Sequence, residues 1–159
     1  MKKSMLVKTL ALAAMLSAVS LAQAQETLKK IKDSGSVTMG VRESSGALSY
    51  TLGDGKYVGY HVELCQRVLA DIQKSLGLAK LDVKYQPVTS QNRIPLMQNG
   101  TVDIECGSTT NNAARQKDVA FAVTTFVEEV RIAVRADSGI TSIAQLNGKN
   151  VATTTGTTS

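Results

Sequence analysis

The sequence predicts an α/β fold built on a parallel sheet. Three observations carry that expectation. Strand-like and helix-like segments alternate from residue 36 to residue 106. The longest helical segment has a single apolar stripe, as a helix lying on a sheet requires. A polar segment follows each of three strand-like runs: Arg42 to Ser45, Thr89 to Arg93 and Gly107 to Asn112. Ligands of parallel α/β sheets bind at the carboxyl ends of strands.

Each element has a local reason. Glu26 to Lys32 is a short helix candidate, and 36-SVTMGV-41 alternates apolar residues as a strand does. The loop after it contains 53-GDGKYVGY-60, where Asp54-Gly55 is a hairpin-like turn; it lacks the spacing of a phosphate-binding loop. In 60-YHVELCQRVLADIQKSLG-77, Val62, Cys65, Leu69, Ile72 and Leu76 recur at three- and four-residue steps, and Gly77 suits a C-terminal cap. Residues 81-LDVKYQPV-88 read as a strand with Leu81, Val83 and Tyr85 on one face. A helix is expected from Thr89 or Ser90 to Asn99-Gly100, with Pro95 tolerated if the first turn begins at Arg93. Asn99-Gly100-Thr101 fits a glycosylation pattern and reads better as the helix stop. The third strand is 101-TVDIEC-106, and Asn111 to Asp118 is a further short helix candidate. The β-branched run 119-VAFAVTTFVEEVRIAVRA-136 is too long for one strand and reads as two. Last come a short helix capped by Ser142 and stopped by Gly148, then a strand over 150-NVATT-154.

Residues 1–24 read as a cleavable secretory leader. Lys2, Lys3 and Lys8 are its basic start, Leu10 to Leu21 its apolar stretch, and Ala22-Gln23-Ala24 its cleavage site. Without those three lysines the formal charge falls from +5 to +2, with the basic residues dispersed. Neither nucleic acid nor an anionic membrane is implied. The absence of Trp argues against a base-stacking platform. Cys65 and Cys106 form no C-x-x-C motif and His61 has no local ligand partner, so no metal site and no cofactor are expected. A disulfide is open to the pair in an oxidising compartment, but two buried free thiols is the preferred reading. The close at 155-TGTTS-159, just after a strand-like segment, suggests a piece of a longer protein.

The polar segments specify a ligand chemistry. Arg42, Ser90, Arg93, Ser108 and Thr110 would supply two guanidiniums and several hydroxyls near helix starts. Guanidinium forks grip carboxylates with paired hydrogen bonds, and backbone N–H groups at helix starts add to them. Two such forks from different strands suit a ligand with two carboxylates. Taken singly, each of these residues is as easily a cap or a surface side chain; their recurrence at three strand ends is what points to a site.

The segments 40-GVRESSGALSY-50, 89-TSQNRIPLMQNGTVDIECGSTTNNAARQ-116 and 155-TGTTS-159 strongly resemble the periplasmic glutamate/aspartate-binding proteins of bacterial ABC importers. The likeness runs from about Leu28 to Ser159. It implies the type II periplasmic binding protein fold, two-lobed in the complete protein. Residues 25–130 would then form the first α/β lobe and 131–159 the truncated beginning of the second. By the same resemblance, Arg93 would bind the ligand α-carboxylate, and Ser108 and Thr110 would complete that cradle and contact the α-ammonium. Arg42 and Ser90 would lie near the side-chain carboxylate, and Thr158 would stand at a helix start of the second lobe. The implied partners are L-glutamate or L-aspartate and an inner-membrane permease, served by a periplasmic monomer that closes its lobes and performs no covalent chemistry. An enzyme on the same lobes, of the cyclic-acid dehydratase type, is the alternative and would rely on Glu43 or His61. A sensory input domain is the third reading.

Overall fold

The computed structural model describes residues 26–159. The expected leader, residues 1–24, lies outside them. In chain order the elements are α1 (residues 26–34), β1 (Ser36–Val41), β2 (Ser44–Ser45), β3 (Ser49–Gly53), β4 (Lys56–Val58), α2 (Tyr60–Ser75), β5 (Asp82–Pro87), α3 (Arg93–Gln98) and β6 (Ile104–Glu105).

β1 is the centre of a three-stranded parallel sheet of order β5-β1-β6. It pairs with β5 from Ser36↔Asp82 to Val41↔Pro87, and with β6 at Met39↔Ile104 and Gly40↔Glu105. The expected strand–helix rhythm is therefore a parallel sheet, whose central strand is buried as such strands are. Val37, Met39 and Val41 alternate onto one face and join Ile31 of α1 and Val62 and Leu69 of α2 in the core. The α2 stripe falls as its spacing predicts, with Cys65, Ile72 and Leu76 packed against the same cluster. Leu81, Val83 and Tyr85 pack there too.

Caps and turns follow the chemistry of their residues. Gly77 (φ 68°) ends α2: its N–H donates to Lys74 O, and the Leu78 N–H donates to Gln73 O. Asp54 (φ 52°) and Gly55 (φ 73°) form the tight turn between β3 and β4, which with β2 make a small antiparallel sheet. α3 begins later than expected, at Arg93. Thr89 and Asn92 first exchange hydrogen bonds, Asn92 N–H to Thr89 Oγ1 and Thr89 N–H to Asn92 Oδ1, which closes a separate turn. Pro95 thus sits in the first turn of α3, where its missing N–H costs nothing.

Four expectations are corrected. The cysteines are not free: Cys65 and Cys106 are joined in a disulfide, with Cα atoms 6.3 Å apart. The stripe of α2 and the exit of β6 deliver both side chains to one side of β1, at a separation that a disulfide spans. The run 119–136 contains no strand among the described residues; Val123 and Val127 are 85% and 84% exposed. β-branched composition becomes a strand only against a cross-strand partner. Asn111 to Asp118 contains only a 3-10 turn at Arg115–Lys117; Asn112 Oδ1 caps it by accepting the Arg115 N–H at 2.9 Å, and the segment extends no further as a helix. Residues 150–154 are likewise not a strand, although the preceding turn Ile143–Leu146 does start at Ser142, whose N–H donates to Gln145 Oε1.

Two expected outcomes follow from this architecture. The disulfide closes a loop of 41 residues in sequence. Replacing Cys65 and Cys106 together by Ser should lower unfolding stability by about 4 kcal/mol, measured by urea titration. In the 159-residue chain, amides of residues 120–135 should exchange with deuterium within seconds to minutes, because their backbone has no ladder; protection there comparable to β1 would contradict it.

Candidate functional site

The parallel register aligns the carboxyl ends of β5, β1 and β6 along one edge of the sheet. Main-chain bonds continue the alignment beyond the strands: Val88 N–H donates to Val41 O, and Cys106 N–H donates to Gly40 O. The three polar segments therefore emerge side by side.

Arg42 leaves β1 and ties all three exits together. Its Nη1 donates to Val88 O after β5 at 2.9 Å, and its Nε donates to Ser45 Oγ at 3.0 Å. Ser45 Oγ is in turn 3.1 Å from Ser108 Oγ, after β6. The Arg42 backbone N–H is held by the buried Ser49 Oγ at 2.9 Å, so β3 sets where the side chain begins. Ser90 and Arg42 line one cleft, to which Thr154 and Thr155 also contribute.

Arg93 forms the floor. It is the first residue of α3 and only 3% exposed, an unusual burial for a guanidinium. Its Nη2 donates to Gly156 O at 3.4 Å, while buried Nε and Nη1 have no hydrogen-bond partner among the described residues. Burial pulls its pKa below the usual arginine value; nearby Glu105 opposes that, and Arg115 and Arg42 reinforce it. Arginine stays protonated in proteins, so the shift expresses the cost of the burial rather than a loss of charge.

Arg115 reaches the same place. Its Nη2 donates to Gly156 O at 2.9 Å and its Nη1 to Thr110 O at 3.0 Å. Two guanidiniums thus converge on one carbonyl oxygen. Thr110 Oγ1 faces Thr158 Oγ1 at 3.4 Å. Thr158 follows a turn, and no helix starts there among the described residues.

Near Arg93 and Arg42 lies Glu105, the last residue of β6. Its Oε2 accepts from Thr109 Oγ1 at 2.8 Å, and its buried Oε1 has no partner among the described residues. Burial raises its pKa above the usual carboxylate value, opposed by the Thr109 bond and by Arg93, Arg42 and His61. Gly107 is where Glu105 and Arg42 close together: a Cβ at Gly107 would lie 2.5 Å from Arg42 Cγ and would also meet Glu105 Oε1.

All six residues singled out in the sequence — Arg42, Ser90, Arg93, Ser108, Thr110 and Thr158 — lie at this one edge. Arg115, Ser45 and Glu105 were not singled out. Arg115 stands in the same polar stretch as Thr110, five residues on, which was the available signal. Glu105 reads as an ordinary strand position, and nothing in its spacing marks it. Among the described residues, no group of three His, Cys, Asp or Glu side chains stands close enough to hold a metal ion. The arrangement offers converging hydrogen-bond donors of positive charge, which suit an anion with planar oxygens.

Residues 37–155 match the family model for bacterial extracellular solute-binding proteins, family 3. The chain is 50% identical over 157 residues to an L-glutamate/L-aspartate-binding protein of Pseudomonas aeruginosa, covering 97% of this chain and 52% of that protein. It is 46% identical over 136 residues to a glutamate/aspartate import solute-binding protein of Escherichia coli, covering 86% of this chain and 45% of that one. The chain therefore spans about half the length of the curated relatives it matches. Among solved structures, a cysteine-binding protein of Campylobacter jejuni superposes with a TM-score of 0.57 at 26% identity, covering 75% of this chain and 46% of that one. The fold is that of the type II periplasmic binding proteins, present here in part. With the family model matched over most of the chain, this protein belongs to the bacterial extracellular solute-binding proteins, family 3.

Proposed function

We propose that this chain is part of the periplasmic solute-binding component of an ABC importer, and that it captures L-glutamate or L-aspartate for a permease in the inner membrane. The observation that carries this reading is the convergence of Arg93 and Arg115 on a single oxygen, with Arg42 bridging the strand ends beside them. Carboxylates of an acidic amino acid take bidentate, charge-assisted bonds from such forks. The Gly156 carbonyl occupies a position that suits one carboxylate oxygen. Arg93 serves the α-carboxylate in this reading, with Ser108 and Thr110 completing that cradle and meeting the α-ammonium. Arg42 and Ser90 serve the side-chain carboxylate, and Thr158 closes the site from the opposite side. The names of the Pseudomonas and Escherichia relatives support the same ligand class.

Residues 1–24 act as the secretory leader in this reading, residues 25–130 form the first lobe and residues 131–159 begin the second. The mature protein is a periplasmic monomer. The ligand touches both lobes, so it stabilises the closed form, and the permease reads that shape. No acid–base pair is needed. Of the two candidates for one, His61 has both ring nitrogens engaged, with Gly107 O and Thr125 Oγ1, and Glu43 is exposed.

A thermal-shift titration of the full-length protein with Glu, Asp, Gln, His and a cyclic hydroxy-acid tests the proposal. At a hundred times its dissociation constant a ligand adds about 2.7 kcal/mol of stability. A shift with Glu and Asp is expected, and a flat response to every amino acid would overturn the reading. Arg93→Met should weaken glutamate binding by more than about a hundredfold in calorimetric titration, since a buried partner of a charged ligand is lost; unchanged affinity would remove Arg93 from the site.

A further inference from the structure

Glu105, half-buried as a residue, has a buried carboxylate oxygen at the site, and capture of an anion has no evident use for it. Its placement is specific. The carboxylate ends β6, presses with the Arg42 stem over Gly107, and is held through one oxygen by Thr109. The other oxygen, Oε1, is buried without a hydrogen-bond partner among the described residues, as are Arg93 Nε and Nη1. Three charged or titratable groups face it: Arg42 from the exit of β1, Arg93 from α3 and His61 from α2. An acid left half-bonded beside two arginines, with one oxygen buried, is neither a closed structural ion pair nor a solvated surface group.

Its charge has a role before a ligand arrives. Arg42 and Arg115 each lie close enough to act on Arg93, and Glu105 is the negative group that offsets Arg93 and Arg42. An acidic ligand then brings carboxylates to the same forks. Two negative charges competing for the same cations in a low-dielectric site cannot both be retained cheaply. The ligand carboxylate takes paired bonds from the forks, whereas Glu105 keeps only its bond to Thr109. Glu105 is therefore the group that neutralises.

We propose that Glu105 is a positioning residue of the anion site: ionised, it balances Arg42 and Arg93 while the site is free, and it takes up one proton from solvent when an acidic ligand settles on them. This rests on the reading that these arginines receive an acidic amino acid. The sign follows directly. A bound carboxylate lifts the Glu105 pKa above its value in the free site, where burial already holds it high. Between those two values binding consumes a proton, so affinity falls as pH rises, by up to tenfold per pH unit. Below both values Glu105 is already protonated and affinity is independent of pH from this source.

The test is calorimetric titration of glutamate into the full-length protein in phosphate and in Tris, whose ionisation enthalpies differ, over a series of pH values from mildly acidic to mildly alkaline. The wild type should take up as much as one proton per ligand bound. Glu105→Gln keeps the shape and an acceptor for Thr109; it should bind without uptake, with roughly tenfold higher affinity at neutral pH and a flat pH profile. His61→Gln should retain the uptake. Glutamate binding by the wild type with no uptake at any pH would overturn the inference without help from any variant. So would uptake that persists in Glu105→Gln or vanishes in His61→Gln. Absence of glutamate binding by the wild type would reject the acidic amino-acid reading itself, and the role of Glu105 with it.

Discussion

The site depends on the pairing of β1 with a parallel neighbour on each side. Parallel strands hydrogen-bonded in register end at the same level, and β5, β1 and β6 do so through Val41↔Pro87 and Gly40↔Glu105. Residues 46 to 63 positions apart in sequence, such as Arg42, Val88, Ser45 and Ser108, can then bond directly. The core beneath holds that level. Val37, Met39 and Val41 are packed against α1 and α2, so β1 cannot slip without exposing them. The Cys65–Cys106 disulfide reinforces the same constraint from α2, one residue before the loop that carries Ser108 and Thr110.

On that frame, burial sets the electrostatics. Arg93 is buried while most of its fork is unbonded, and half-buried Glu105 has one buried oxygen unbonded. Each would be costly alone. Together, with Arg42 and Arg115 near, they form a cluster whose charges are offset through space rather than by contact. A ligand carboxylate can satisfy the unbonded guanidinium nitrogens, which is where binding energy is available. His61 links this cluster to the segment that leaves it, with one ring nitrogen near Gly107 O and the other near Thr125 Oγ1.

Much of the fold was legible because it rests on local rules. The boundaries of β1, the stripe of α2, its Gly77 stop and the Asp54-Gly55 turn follow from alternation, periodicity and glycine's tolerance of positive φ. The places where reading failed are places where a partner decides. The apolar run 119–136 has strand composition, yet among the described residues it pairs with no strand. The Thr89–Asn92 exchange holds a separate turn ahead of α3, which begins only at Arg93.

By itself the sequence determined the α/β class, the three polar strand exits and five of the residues gathered there, Arg42, Ser90, Arg93, Ser108 and Thr110, because alternation, capping and residue chemistry are written locally; Thr158 came from the resemblance. Its likeness to solute-binding proteins added the ligand class to propose. Only the tertiary structure decided that Cys65 and Cys106 meet, that Arg115 shares an oxygen with Arg93, and that a buried oxygen of Glu105 comes near Arg93 and Arg42. Those are distances between residues remote in the chain. They depend on how β6 docks on β1 and α2 on both, and no spacing within one segment encodes them.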